Sequence, residues 1–153
     1  MLKLSSSNYY FYPVKGQARD DDGNNEPFSF TAKFKRIDAE EIEEIMKGQS
    51  RYASLIKAGL STEEVCSEYF EKGIPVKTVD IARHVWTGWK SNGEVVDGDG
   101  EEIAYTEELR DEYLRRNGVP QAITQAWADS IDVATKEPKG AASKNSKGRP
   151  ITG

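Results

Sequence analysis

The segment from Val85 to Asp129 constrains the fold of this chain more than any other. It contains all three tryptophans, an acidic glycine turn and two stretches of helical periodicity. It offers no nucleophile beside a base, no cluster of metal ligands and no phosphate-binding loop. Its informative features are aromatic side chains, a turn and helix caps, which are typical of a packing or binding module.

Length and composition predict one domain with a modest core. The chain has 153 residues, of which 37% are hydrophobic and 31% are charged, and this length is usual for a single domain. We place the domain at residues 1–135, with a hairpin over about 9–36 and a helical part over about 38–134. A small core is often completed by a partner or by self-association.

Charge is distributed unevenly along the chain, whose formal net charge is -5. Residues 94–112 are strongly acidic, whereas residues 136–153 form a basic, polar tail that we expect to be disordered and flexible. Duplex DNA binding requires a basic face, which an acidic body does not offer. We therefore do not expect nucleic acid as a main partner, although the tail could contact nucleic acid or an acidic partner weakly.

A single cysteine, Cys66, excludes an internal disulfide and favours a cytosolic compartment. The N-terminal residues contain no apolar run of the secretory type. No stretch of the sequence has the apolar length that a membrane span needs. These features predict an intracellular protein without a membrane anchor.

The first part of the chain has the pattern of a hairpin followed by a helix. Apolar and polar residues alternate over 28–35, and the aromatic run at 9–12 is rich in strand formers. Turn-forming residues at 20–25 predict a long, mobile loop between the two strands. Asp38, with Glu41 three residues later, forms a capping-box pattern that predicts a helix ending at Gly48.

Two further short helices are predicted next. One ends near Gly59, and the other begins at Ser61 with a second capping-box pattern. The second places Cys66 and Phe70 on its apolar face, together with Val65 and Tyr69. Cys66 is therefore predicted to be a core residue, since no histidine or base lies within helical reach of it.

The second half adds more helices. The interval from Val79 to Trp89 fits either a helical face or a strand over its last residues, and we favour helix as far as about Trp86. Thr106 is a predicted N-cap, and Pro120 suits the first position of a final amphipathic helix. The predicted fold is α+β, with an N-terminal antiparallel β-hairpin packed on a bundle of four to five short α-helices.

The templates for catalysis, metal binding and nucleotide binding all fail. His84 is the only histidine, and a zinc site would need more His and Cys than the chain contains. The acidic turn is similar to a calcium loop, but Glu102 stands where that loop requires glycine. Gly98 and Gly100 do not belong to a nucleotide fingerprint. We predict neither an enzyme nor a cofactor.

The aromatic residues are the remaining candidates for function. Trp86, Trp89 and Trp127 could stack on a base or fill a pocket of a partner, although packing in the core is the usual role of tryptophan. We expect two of the three in the core and one at an interface. These three residues and Tyr113 form the predicted candidate interface.

The order of these elements resembles that of the tail assembly chaperones of long-tailed, siphovirus-type bacteriophages. The resemblance is carried by FTAKFKRI at 30–37 before an acidic helix, VWTGWK at 85–90, VVDGDG at 95–100 and TEEL at 106–109. It covers about residues 28–145, which is most of the chain.

The resemblance implies a non-enzymatic assembly factor of the host bacterial cytoplasm that is absent from the mature virion. Such a chaperone self-associates as a homo-oligomer, binds the largely helical tape measure protein and helps recruit tail tube protein during tail morphogenesis. The alternative is a small phage regulatory or interaction protein that binds a host protein or nucleic acid through the basic tail.

Overall fold

The computed structural model describes residues 1–132. The predicted basic tail at 136–153 and the last residues of the predicted domain lie outside the described residues. The predicted α+β class is confirmed, since an N-terminal antiparallel hairpin is combined with five helices. The elements are, in chain order, β1 (Tyr9–Arg19), β2 (Asn25–Lys35), α1 (Ala39–Lys57), α2 (Glu63–Glu71), α3 (Thr78–Val85), β3 (Trp86–Trp89), α4 (Glu107–Leu114) and α5 (Val119–Ile131).

The sheet has three antiparallel strands in the order β1-β2-β3. The connection between β1 and β2 is a tight turn at residues 20–24 rather than the long loop that the sequence predicted. Asp20 Oδ1 accepts hydrogen bonds from the N–H groups of Asp22, at 2.9 Å, and Asn24, at 2.8 Å. An aspartate that caps its own turn in this way shortens the loop and extends the paired strands.

α1 continues through Gly48, where the sequence predicted a stop, and merges the first two predicted helices. A Cβ atom at Gly48 would lie 3.2 Å from the Tyr69 ring, so the glycine allows α2 to pack closely against α1. Glycine disfavours a helix interior by roughly 1 kcal/mol. The packing of the two helices outweighs that cost, which is why the local stop signal failed.

Predicted helix caps form in the second half of the chain but not at α1. Thr106 Oγ1 accepts a hydrogen bond from the Leu109 N–H at 3.1 Å, as predicted. Asp38 makes no side-chain cap hydrogen bond at the start of α1. The Glu41 carboxylate, which the capping box required, instead contacts His84 on α3. A tertiary contact therefore replaces the local one.

The interval from Val79 to Trp89 contains both of the structures that its pattern allowed. α3 ends at Val85, one residue before the predicted end, and Trp86 begins β3. β3 pairs with β2, with Trp89 opposite Ala32. The change from helix to strand turns both tryptophans toward the interior.

α5 packs across the inner face of β1. Gly118 precedes the helix with φ +96°, and a Cβ atom there would clash with the Gln17 carbonyl oxygen, so the position requires glycine. The Tyr10 hydroxyl and Ser130 Oγ lie 2.7 Å apart and join β1 to α5. Burial raises the pKa of the Tyr10 hydroxyl, so this hydroxyl stays neutral and able to donate.

Two groups of buried side chains hold these elements together. The main core lies between the inner face of the sheet, α3 and α5. The satellite cluster joins α1, α2 and the connection after α2, and its buried members are Val65, Tyr69 and Val76. The main core comprises Tyr12, Val14, Ala32, Phe34, Ile45, Ile81, Ala82, Val85, Trp86, Trp89, Leu114, Val119, Ala122, Ile123, Ala126 and Trp127. Across residues 1–132, none of the helices is both long and apolar enough to cross a membrane.

Candidate interaction sites

The three tryptophans of the predicted candidate interface are buried. The exposed fractions of Trp86, Trp89 and Trp127 are 1%, 7% and 1%. The Trp86 indole N–H donates to the Gly88 carbonyl oxygen at 2.8 Å, and the Trp89 indole N–H donates to the Ile103 carbonyl oxygen at 2.9 Å. All three therefore serve packing within the chain, including the one that the sequence left for an interface.

Three of the four candidate residues meet at one groove of about 410 Å³, which we call the aromatic groove. The ring centroids of Trp86 and Trp89 are 6.1 Å apart, and those of Trp89 and Tyr113 are 6.0 Å apart. Trp127 lies apart from them on α5 and does not line this groove. Tyr113 is partly exposed, so of the four candidate residues it offers the largest exposed fraction to a partner.

A larger groove of about 860 Å³ lies between α2, the α2–α3 connection and α3, and we call it the helix groove. Its apolar side chains include Phe70, Ile74 and Val76. Phe70 is 82% exposed, although the sequence placed it in the core. An aromatic side chain therefore projects into water at the wall of an open groove.

Phe70 was missed because α2 makes its main contacts with α1 alone. Val65 and Tyr69 are four residues apart and share the face that is buried against α1. Phe70 follows Tyr69 and is rotated by about 100° around the helix, away from that face. A helix that packs against a single partner buries a narrower apolar stripe than a helix within a bundle. The position of Phe70 at the side of the stripe formed by Val65 and Tyr69 was therefore the sequence signal that could have identified it as exposed.

The rim of the helix groove is basic. Arg83 is fixed by carboxylates, since its guanidinium lies 3.0 Å from Asp80 Oδ1 and 3.4 Å from Asp111 Oδ1. In the part of the chain that the structure describes, Lys35 and Lys77 form no ion pair, so their charges can meet an acidic partner. The basic side chains on the rim are Lys35, Lys77, Arg83 and Arg110.

Cys66 and His84, which a nucleophilic mechanism would need, both line the helix groove. The His84 Nε2 atom lies 2.7 Å from Glu41 Oε2, a contact that joins α3 to α1. Among residues 1–132, the Cys66 thiol forms no hydrogen bond with His84. Activation of a thiol by a base requires that hydrogen bond, so the groove holds the two side chains without joining them.

The acidic turn that is similar to a calcium loop is closed by a side chain of its own, the carboxylate of Asp97. Asp97 Oδ1 accepts hydrogen bonds from the N–H groups of Asp99, at 2.8 Å, and Glu101, at 3.0 Å. No group of three or more His, Cys, Asp or Glu side chains within 1–132 is arranged to hold a metal ion. The carboxylate of Asp97 closes the turn, as aspartate commonly does.

Comparison of the chain with protein-family models, with curated proteins and with solved structures gives no match.

Proposed function

We propose that this chain is a tail assembly chaperone of a long-tailed, siphovirus-type bacteriophage. It binds the tape measure protein and helps recruit the tail tube protein during tail morphogenesis, without catalysing a reaction. It acts in the cytoplasm of the host bacterium as a homo-oligomer and is absent from the mature virion. The order of the sequence phrases over residues 30–109 supports this proposal.

The observation that carries the proposal is the exposed Phe70 at the wall of the helix groove. An open apolar groove suits an amphipathic helix, whose anchoring side chains repeat every three to four residues. The tape measure cargo of the chaperones that the chain resembles is largely helical. We therefore place a helical segment of the tape measure protein in this groove, with Phe70 packed against its apolar stripe.

Other exposed apolar side chains support a docking role for the α1–α2 hairpin. Apolar residues scattered singly are normal on a protein surface, so these side chains add exposed apolar area to the hairpin but do not define a site by themselves. The α1–α2 hairpin also has few buried residues of its own. Its large exposed apolar side chains are Met46, Ile56, Leu60 and Phe70.

The basic side chains on the rim of the helix groove also determine which helical segments bind best. Lys35 and Lys77 favour a helix whose apolar stripe is flanked by acidic residues, since opposite charges steer association and fix its orientation. The chain as a whole is acidic, with a net charge of -5, which favours solubility while apolar cargo is held.

Coexpression with the tape measure and tail tube proteins of the same genome tests the proposal. The unmodified chain should keep the tape measure protein soluble and copurify with it. Phe70→Ala should weaken this complex by roughly tenfold or more, as expected for an aromatic anchor. Phe11→Ala is the matched control, because it removes an exposed phenylalanine from β1, outside the helix groove, and should leave the complex intact.

Several outcomes would contradict parts of the proposal. If the unmodified chain forms no complex with the tape measure protein, the chaperone function is wrong. Equal binding by the unmodified chain and Phe70→Ala would remove the helix groove as the cargo site. Detection of the chain in purified virions by mass spectrometry would contradict a role restricted to assembly.

A further inference from the structure

The face of the sheet that points away from the main core is basic and aromatic, and we call it the outer face. Side chains alternate between the two faces of a strand, and residues opposite each other on neighbouring strands share a face. Phe11 lies opposite Lys33, and Tyr9 lies opposite Lys35. The side chains of interest on this face are Tyr9, Phe11, Lys15, Lys33, Lys35 and Lys90.

The two aromatic rings of the outer face are accessible. Tyr9 is 38% exposed and Phe11 is 42% exposed, and their ring centroids are 5.6 Å apart. Lys33 Nζ lies 4.0 Å from the centroid of the Tyr9 ring, and Lys90 Nζ lies 5.6 Å from that of Phe11. The two rings meet edge to face, with an angle of 74° between their planes, and a lysine lies near each of them. Flexible cations therefore cover part of the ring surface that is left open, and a ligand can displace them.

The fold brings basic side chains together on this face, although the chain as a whole is acidic. The outer face has four lysines, whereas the whole chain has a net charge of -5. Glu94 adjoins this face: its carboxylate accepts hydrogen bonds from the Asn92 side chain at 2.8 Å and from the Thr31 N–H at 3.0 Å. These donors are neutral, so the carboxylate keeps its charge and offsets one of the lysines, Lys90, whose charge acts on it. The net charge of the chain does not reveal this local group of lysines, which is why the sequence disfavoured nucleic acid.

We propose that the outer face binds single-stranded nucleic acid, with Tyr9 and Phe11 stacking on neighbouring bases and the lysines contacting phosphates. Alternate residues of a strand are roughly 6.6 Å apart, so each ring can take one base of an extended strand. Base stacking on aromatic rings combined with a cationic track is the usual way to bind a single strand. An acidic polypeptide would use the lysines but would leave the rings without a role. This inference goes beyond the chaperone function; of the residues named on the outer face, Lys35 also lines the helix groove, whereas the two rings and the other three lysines do not.

Fluorescence anisotropy with a labelled oligothymidylate, on the order of 16 nucleotides long, tests the inference on the full chain. The unmodified chain should bind at low salt and should bind a duplex of the same length more weakly. Four lysine–phosphate contacts on a single strand predict a slope of roughly -3 for the logarithm of the binding constant against the logarithm of salt concentration.

The role of the rings is tested with two phenylalanine variants. Phe11→Ala should reduce the affinity for the oligothymidylate roughly tenfold, because one stacked base is lost, and should leave the salt slope unchanged. Phe70→Ala removes a more exposed phenylalanine from α2 and should bind the oligonucleotide like the unmodified chain. Thermal melting followed by circular dichroism verifies that both variants remain folded.

The role of the lysines is tested at matched net charge. Lys15→Gln combined with Lys33→Gln should make the salt slope less negative by about 1.4, since two phosphate contacts are lost. Lys47→Gln combined with Lys57→Gln removes the same charge from α1 and should leave the slope unchanged.

Three results would overturn the inference. The first is the absence of binding at low salt. The second is binding that neither Phe11→Ala nor the Lys15 and Lys33 pair alters, because the strand would then lie elsewhere, including on the basic residues at 136–153. The third is competition by polyglutamate as strong as that by unlabelled oligothymidylate, which would assign the face to acidic polypeptides. Phe70→Ala affects cargo alone, so the two proposals can fail separately.

Discussion

The main core and the satellite cluster hold their helices with very different amounts of buried surface. The main core includes Trp86 and Trp127, both almost fully buried, among its sixteen members. The satellite cluster has three buried members, Val65, Tyr69 and Val76. Since stabilisation scales with the apolar area removed from water, the α1–α2 hairpin should open locally before the sheet does. The proposed cargo site therefore lies on the less stable of the two regions.

α1 links the two regions. Its first half contributes Ile45 to the main core, and its second half packs Tyr52 and Leu55 on the satellite cluster. Gly48 lies between them, against Tyr69. A stable scaffold with a weaker helical hairpin at its edge is suited to binding, because the hairpin can adjust to a cargo without loss of the core.

The largest effect is expected in the main core. Trp127→Ala should lower the free energy of unfolding by about 3–5 kcal/mol, because a buried indole leaves a cavity that its surroundings fill only partly. This is a large part of the total stability of a small domain. Urea denaturation measures the change, and Phe70→Ala is the control, with an expected change within about 0.5 kcal/mol. If Trp127→Ala lowers the free energy of unfolding by less than about 1 kcal/mol, the main core does not supply most of the stability.

An intermediate effect is expected in the satellite cluster. Val65→Ala removes two buried methyl groups and should cost about 2 kcal/mol. Amide hydrogen exchange should accelerate in α2 and in the second half of α1, while β1 and α5 keep their protection. If exchange accelerates equally in all elements, the two regions form one cooperative unit and the comparison fails.

The fold could be predicted wherever residues close together in the sequence determine a helix or a strand. The alternation in β2, the Thr106 cap and Pro120 at the start of α5 all act within a few residues, and the structure contains each of them. Gly48 was misjudged because its role depends on Tyr69, a residue of another helix. The cap predicted at Asp38 was wrong for a related reason. The Glu41 carboxylate, which the capping box required, contacts His84 on α3 instead.

The candidate sites were less predictable than the fold. Residue type shows that tryptophan needs burial, but it does not show which side of a helix a partner covers. Trp127 is therefore buried within the chain, whereas Phe70 is exposed on α2, a helix with one main partner. The outer face was not predicted, because Lys15, Lys33 and Lys90 become neighbours only when the strands pair. Net charge, which the sequence does provide, conceals such a face.

The smallest effect concerns the segment that follows β3 at the edge of the main core. Hydrogen bonds from the Asn92 side chain and from Thr31 lower the pKa of the Glu94 carboxyl. The pKa is lower in the folded state than in the unfolded state, so the ionised carboxylate contributes stability above the unfolded-state pKa, and that stability is lost as the pH falls through the folded-state pKa.

Glu94→Gln tests this contribution. Because the carboxylate is exposed to solvent, its contribution should stay below about 0.5 kcal/mol. In the unmodified chain, the Thr31 and Asn92 amide signals should shift together as acid is added in an NMR titration, and Glu94→Gln should abolish that shift. The Val65 amide should respond equally in both proteins, because the satellite cluster has no contact with Glu94. An acid response of Val65 that depends on Glu94 would show that the two regions are coupled through the sheet edge.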